Sequence, residues 1–325
     1  MAEATGGLDA ENVSKYFWWW GVPTFLRCPH RPDFSETDIG LIGVPHSFGN
    51  PAARMQHLGT SAIRLRSNGY HRFHREFEVD PFSLGRISDL GDTPVANSLN
   101  PDMSADDIEG FFSRVCAAGI SPIAIGGDHA VTGPILRAIR KTSQARPFGL
   151  IHFDSHNDTI PPMPATRNHA GPFRMSAEEG VIDASRTVQI GMRGAMATPD
   201  MDDWSRENVA AFITTSDAMK MGPDAVVARV REIMGEHPVY ISFDMDVIDP
   251  VFAPGVATPE VNGLLPREIF QITQGFRGLN VIGADVVCYS PPMDDRIQNT
   301  AMLACQLLLD FVVLIGEARQ RAKAA

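Results

Sequence analysis

Four separated apolar, strand-like runs of this chain end in residues able to hold a divalent cation. They are Ala124-Ile-Gly-Gly-Asp-His129, Leu150-Ile-His-Phe-Asp-Ser-His-Asn-Asp158, Val239-Tyr-Ile-Ser-Phe-Asp-Met-Asp246 and Val281-Ile-Gly-Ala-Asp-Val-Val-Cys288. Side chains alternate along an extended chain, so Asp154, His156 and Asp158 are expected to project from one side, and Asp244 and Asp246 likewise. Carboxylates can bridge two cations while an imidazole binds one, and two metals ~3.5–4 Å apart can hold a bridging water as hydroxide at neutral pH. The candidate ligands are therefore His129, Asp154, His156, Asp158, Asp244 and Asp246, and the chemistry they point to is hydrolysis. Oxygen and nitrogen donors without thiolate favour Mn, Ni, Co or Zn over Ca or Mg, without choosing among them.

Taken alone, most of these pieces have an ordinary explanation. Asp128 beside His129, after two glycines, is common turn and helix-start chemistry. Asp244-Met-Asp246 fits a strand running into a turn at Asp249-Pro250. The Asp-Ser-His-Asn-Asp stretch resists that explanation, because three ionisable groups directly after an apolar run crowd like charges unless a cation neutralises them. That motif carries most of the weight, and the coincidence of all the pieces in one chain carries the rest.

Positioning such residues requires a scaffold, and 325 residues at 44% hydrophobic content are enough for a large core. No low-complexity segment, repeat or long charge run divides the chain, so a single catalytic domain over 37–325 is expected, preceded by an N-terminal segment, 1–36, that serves packing or an interface. The alternation reads as strands at 38–43, 123–126, 149–153, 187–191, 239–243 and 281–287, with helices at 133–141, 224–234 and 267–276 between them. Ser104 is expected to cap an amphipathic helix carrying Ile108, Phe111, Phe112 and Val115, and a last helix from Thr300 to about Arg319 buries Met302, Leu303, Leu307, Leu308, Phe311 and Leu314. Such an order predicts an α/β fold with a mostly parallel sheet covered by helices on both sides, with the ligand crevice outside the carboxyl ends of the strands. All four metal motifs fall at those ends.

A formal net charge of −11 argues against a nucleic-acid partner and is compatible with a cationic small substrate. The first residues lack the basic start and apolar stretch of a secretory signal, and no uninterrupted apolar run reaches the ~20 residues of a membrane span, so a cytoplasmic protein without membrane contact is expected. Cys28, Cys116, Cys288 and Cys305 are widely spaced, which reads as reduced thiols.

The motifs Gly126-Gly-Asp-His129, Phe153-Asp-Ser-His-Asn-Asp158, Ser242-Phe-Asp-Met-Asp-Val-Ile-Asp-Pro250 and Ala253-Pro-Gly255 resemble the signatures of the arginase/agmatinase (ureohydrolase) family, and the likeness runs from Gly21 to the C-terminal helix. The resemblance implies a three-layer α/β/α sandwich and a homo- or hetero-trimer or hexamer. It also implies two divalent ions per subunit, Mn or Ni, on the six residues named above. The reaction it implies is attack of a metal-bridging hydroxide, oriented by Asp158, on the carbon of a small guanidino substrate. His169, in Asn168-His-Ala-Gly-Pro-Phe-Arg174, matches the family histidine that shuttles a proton to the leaving amine; beside it, Asn168 is taken as a substrate contact.

The departures bear on the substrate. Where the family carries a glutamate that grips the guanidinium through charge-assisted hydrogen bonds, this chain has Cys288, a smaller and far less polar side chain. That change points to an N-alkylated guanidine or biguanide, such as dimethylguanidine or metformin; a conventional agmatinase or guanidinobutyrase with Cys288 as a neutral variant is one alternative, and a non-catalytic partner subunit of a hetero-oligomer is another. The loop from His46 to His57 also differs from the family pattern, and Ala257 and Asn262 replace family glycines. Within Phe17-Trp-Trp-Trp20, core or interface packing is the expected role, and a cation–π wall at Trp20 for a delocalised cation is the second reading. A deacetylase of the same broad architecture is the other class to separate, by a metal count near one rather than two.

Overall fold

The computed structural model of the protein describes residues 19–47, 49, 55–144, 146–161 and 167–324. Phe17, Trp18 and half of the divergent loop, positions 48 and 50–54, lie outside the described residues. The elements run β1 (Ile39–Gly43), α1 (Gly59–Ser67), β2 (Ile87–Asp92), α2 (Pro101–Ala117), β3 (Ser121–Ile125), α3 (Thr132–Thr142), β4 (Phe148–Phe153), α4 (Pro172–Glu178), β5 (Ile182–Met192), α5 (Asp203–Asn208), β6 (Ala211–Thr214), α6 (Thr215–Met221), α7 (Pro223–Met234), β7 (Pro238–Asp244), α8 (Pro266–Gln274), β8 (Asn280–Val287) and α9 (Asn299–Ala324).

The strands form one eight-stranded sheet in the order β2-β1-β3-β8-β7-β4-β5-β6. Every pairing between them is parallel, in registers such as Ile151↔Ile241 and Ile123↔Ala284. A parallel sheet buried on both faces needs continuous apolar strands, and β1, β3 and β4 are buried at every residue. Two apolar clusters flank it. One joins α1, α7, α8 and α9 to residues such as Ile151, Ile241 and Phe243; the other joins α2, α3 and α4 to Ile42, Leu150 and Tyr240. The predicted three-layer α/β/α architecture is the one observed.

Several details differ from the sequence reading. Asn100, not Ser104, caps α2: its side chain accepts the N–H groups of Asp102 and Met103 while Pro101 opens the helix, and Ser104 instead donates to the carbonyl of Asn97. Strands β2 and β6 escape the sequence pattern, the first because Ile-Ser-Asp-Leu-Gly-Asp carries two aspartates, the second because it has four residues. Asp89 of β2 is buried yet fully engaged, accepting from the Phe25 N–H and from Arg64. Helix α9 is long and apolar enough to cross a membrane by length and composition, but 78% of its most apolar stretch is buried inside the molecule. Met302 and Leu303 are only partly covered, whereas residues 307–316 are buried without a break.

Candidate metal centre

The four motif-bearing strands β3, β8, β7 and β4 are neighbours at the centre of the sheet, so their carboxyl ends open onto one crevice. After β3, Gly126 and Gly127 adopt left-handed backbone at φ +87° and +77°, and a Cβ on Gly127 would lie 2.7 Å from the Val44 carbonyl oxygen. This tight passage leads into a short 3-10 helix, His129–Val131, capped by Asp128, which sets His129 beneath the crevice. After β4 the chain does not stay extended: it turns through Asp154–Asp158, and Asp158 itself is left-handed at φ 48°. Asp246 sits in another 3-10 helix, Met245–Val247. The candidate ligands are therefore brought together by turns at strand ends and not by the two-residue alternation expected from the sequence.

His129 Nδ1 lies 3.0 Å from Asp154 Oδ2, 3.0 Å from Asp158 Oδ2 and 3.3 Å from Asp244 Oδ2, with the imidazole 1% exposed. On the other side of Asp154, His156 Nδ1 lies 3.3 Å from Asp154 Oδ1 and 3.3 Å from Asp246 Oδ2. Asp154 is thus shared by two ligand groups, one around His129 and one around His156 and Asp246. Despite its three carboxylate neighbours, His129 Nδ1 makes no hydrogen bond of acceptable geometry among the described residues. A buried nitrogen aimed at buried carboxylates without hydrogen-bond geometry is what a metal ligand set looks like before the ion is added, and four buried carboxylates this close need cationic charge. The residues fit a pair of divalent ions.

Without a cation, the electrostatics of the cluster are strongly shifted. Burial pushes the Asp244 carboxyl well above its usual range, and Asp246 and Asp154 add to the effect. Burial opposes ionisation of Asp154 too, but the imidazoles of His129, His152 and His156 outweigh it and hold the carboxyl well below its usual range. His129 is pulled down by burial and raised further by Asp154, Asp158 and Asp244, ending well above the ordinary imidazole value. His156, likewise opposed by burial, is pushed up to about 12 by Asp246 and Asp154. Burial and the neighbouring Asp244 and Asp246 raise the Cys288 thiol.

Hydrogen bonds from behind hold these candidate ligands in place, and most of the partners carry no motif in the sequence. His129 Nε2 donates to Ser242 Oγ at 2.9 Å, and Ser242 donates to Asp285 Oδ1 at 2.8 Å. Asp285, buried in β8, also accepts from Tyr240 and Thr132. The relay leaves the Nδ1 lone pair of His129 for a cation. His152 Nε2 donates to Asp154 Oδ2 at 2.9 Å, its own Nδ1 accepting from Gln189. Ser155 binds Asp246 Oδ1 through both N–H and hydroxyl. A carboxylate such as Asp285 inside an apolar run was the available signal, because a buried charge in a core strand has to be paired.

A cavity of about 390 Å³ opens over the cluster, bordered by His129, Asp154, His156, Asp158, Asp244, His169 and Cys288. Its outer wall includes Met192, Met196, Met201 and Ile160 together with Asp202 and Arg206. His169 Nδ1 donates to the Gly49 carbonyl at 2.6 Å, which leaves Nε2 with the lone pair; Gly49 N–H is in turn held by Asp128 Oδ2 at 2.7 Å. Asn168 does not border the cavity: its Oδ1 accepts the Ala170 N–H within the turn that carries His169. Trp20 is 59% exposed and does not border this cavity.

Comparison with known proteins gives a consistent set of relatives. A model of the Arginase family matches residues 37–314. The chain is 39% identical to a guanidinopropionase of Pseudomonas aeruginosa over 97% of both chains. It is 36% identical to the mitochondrial guanidino acid hydrolase of Homo sapiens over 90% of this chain and 82% of that one. The solved structure of proclavaminate amidino hydrolase from Streptomyces clavuligerus superimposes with a TM-score of 0.88 at 32% identity, covering 93% of this chain and all of the other.

Proposed function

Because the chain belongs to the arginase family and is, as its relatives are, a metal-dependent amidine hydrolase, we propose that it cleaves a C–N bond of a small guanidino compound bearing alkyl groups, an N-alkylated guanidine or a biguanide such as dimethylguanidine or metformin. The observation that carries this reading is the rim of the cavity. Cys288 borders the cluster on the β8 side, where the family resemblance leads one to expect a glutamate, and Met192, Met196 and Met201 line the approach. A thiol cannot make the paired, charge-assisted hydrogen bonds that a carboxylate makes to a planar guanidinium. The thioethers, flexible and polarizable, suit N-methyl groups.

His129, Asp154, Asp158 and Asp244 would hold one divalent ion and His156, Asp154 and Asp246 the other, as Mn or Ni. Bound there, the ions supply a water ionised near neutral pH and offset the charge of the carboxylates. Asp158, whose left-handed backbone sets its carboxylate against the cavity, orients the attacking oxygen over the guanidine carbon. His169, with its Nδ1 proton committed to Gly49, offers Nε2 to carry a proton to the departing nitrogen. One C–O bond forms and one C–N bond breaks, giving a urea or substituted urea and an amine, dimethylamine for the two compounds named. The active assembly is a homo- or hetero-oligomer, trimer or hexamer.

A second reading has one observation in its favour. Arg206 borders the cavity beside Asp202, where it could meet the carboxylate of a guanidino acid, the substrate class in the names of several relatives. Urea and amine release from dimethylguanidine, metformin, guanidine, agmatine, 4-guanidinobutyrate and 3-guanidinopropionate, after separate loading with Mn and Ni, tests both. Turnover of the alkylated compounds supports the first reading. Turnover of guanidino acids alone overturns it, and silence on every compound with two ions bound points to a partner subunit.

A further inference from the structure

We infer that Cys288 is itself a metal ligand: its sulfur joins His129 and Asp244 around one cation position and biases that position toward a thiophilic divalent ion. The inference rests on the two-cation reading of the centre and adds a donor to it.

Three observations converge. First, the donor atoms of His129, Asp244 and Cys288 all lie within 4.8 Å of one another, and all three residues are buried. Donors bound to one centre at ~2.0–2.3 Å can be no more than ~4.6 Å apart, so a small side-chain rotation is enough to gather them. Among the described residues, Cys288 is the one cysteine that belongs to such a cluster; Cys28, Cys116 and Cys305 are buried outside these groups. Second, the buried Nδ1 of His129 faces this group without a hydrogen bond, and the Ser242–Asp285 relay holds its other nitrogen as a donor. That nitrogen is prepared for an ion whose remaining donors must come from its surroundings. Third, the backbone places Cys288 there against its own preference. At φ 65° it is one of ten described non-glycine residues in the left-handed region, and its N–H is fastened to the carbonyl of Gly127 at 2.8 Å, two residues before His129. Backbone strain of this kind persists where the surroundings over-determine it, commonly at functional sites. A strand end tied in this way keeps the sulfur in register with the imidazole.

The chemistry is a ligand exchange without redox. On cation uptake the S–H proton passes to solvent and a sulfur–metal bond forms. Sulfur is a softer donor than carboxylate oxygen, so the position would favour Co, Ni or Zn over Mn. A coordinated sulfur would also present no hydrogen-bonding carboxylate to a substrate's guanidinium, in keeping with the substrate class proposed above.

The test is spectroscopic. Full-length protein stripped of metal and loaded with Co(II) should show a near-ultraviolet thiolate-to-cobalt charge-transfer band that Cys288→Ser abolishes and Cys305→Ser leaves intact. In metal titrations, Cys288→Ser should weaken Co(II) and Zn(II) about 10- to 100-fold while changing Mn(II) by no more than about threefold. X-ray absorption of the zinc-loaded wild-type protein should detect a sulfur scatterer at ~2.3 Å, a readout independent of whether the variant folds. A wild-type protein that binds two Co(II) ions with no such band, or a zinc centre with no sulfur neighbour, overturns the inference. Failure to hydrolyse any guanidine would bear on the functional reading alone, because none of these measurements uses turnover.

Discussion

Replacing Ser242 with alanine isolates how much of the metal affinity comes from a residue that touches no metal. Ser242 Oγ accepts from His129 Nε2 at 2.9 Å and donates to Asp285 Oδ1 at 2.8 Å, and all three residues are buried. The substitution removes one oxygen atom and orphans the His129 Nε2–H donor, while Asp285 keeps the Phe243 N–H and the hydroxyls of Tyr240 and Thr132. Orphaning a buried donor costs the metal-free protein ~1–3 kcal/mol. Freed from its tether, the imidazole can rotate, and loss of such an outer partner lowers metal affinity about 10- to 100-fold. At a metal concentration of ~100 times the wild-type Kd, the ion stabilises the wild-type fold by ~2.7 kcal/mol; the variant at the same concentration retains ~1.4 or ~0.4 kcal/mol. The assay is chemical denaturation of both proteins with chelator and with metal, paired with a competition titration against a coloured chelator. The reasoning is refuted if the variant loses stability equally in both conditions and titrates with unchanged affinity. Ser242 would then serve the fold and not the ion.

Other predictions follow from the same geometry. Asp246→Asn, which removes a donor from the His156 group only, should lower the metal count from two to one per chain in elemental analysis while leaving the His129 group loaded. His169→Ala should keep both ions and lower kcat by ~10²–10⁴, with partial rescue by small exogenous amines; full activity would remove His169 from proton transfer. The pH dependence has a definite sign. His156 in the metal-free fold is raised to about 12, above its unfolded value, so its stabilising effect is complete below about 6.5 and lost as pH climbs toward 12. A cation competes with that proton, so the metal-induced rise in Tm should grow between pH ~6.5 and ~9, and a rise that shrinks over that range would contradict the assignment.

Much of the candidate centre could be read from residue order because the residues proposed as its ligands follow strand ends in short, dense motifs. Asp154, His156 and Asp158 announce themselves by crowding charge after an apolar run, and the alternation of elements locates the crevice. What could not be read is what depends on distant pairing. His152, Gln189, Ser242 and Asp285 look like isolated polar residues in core strands, and only the registers of β4 with β5 and β7, and of β7 with β8, reveal them as partners. Conformation at the strand ends was hidden for a different reason. Left-handed backbone at Cys288 runs against the local preference of that residue type, and at Asp158 it is tolerated by an aspartate but not signalled by the flanking residues. Asn100 caps α2 ahead of Ser104 because Pro101 fixes the first helical position.

The place of β8 in the sheet also bears on how the molecule is made. It lies between β3 and β7, so it joins β2-β1-β3 to β7-β4-β5-β6, yet it is the last strand to leave the ribosome. Until residue 287 has emerged, His129 belongs to one half-sheet and Asp154, Asp158 and Asp244 to another, with no hydrogen-bonded ladder between them. The same late segment brings Cys288, and α9 behind it covers the seam. The candidate ligands of the two half-sheets therefore come into one ladder only once β8 is in place. A chain cut short before β8 would leave β3 and β7 as open sheet edges, both of which the finished protein keeps paired, and such edges are prone to pair with other chains.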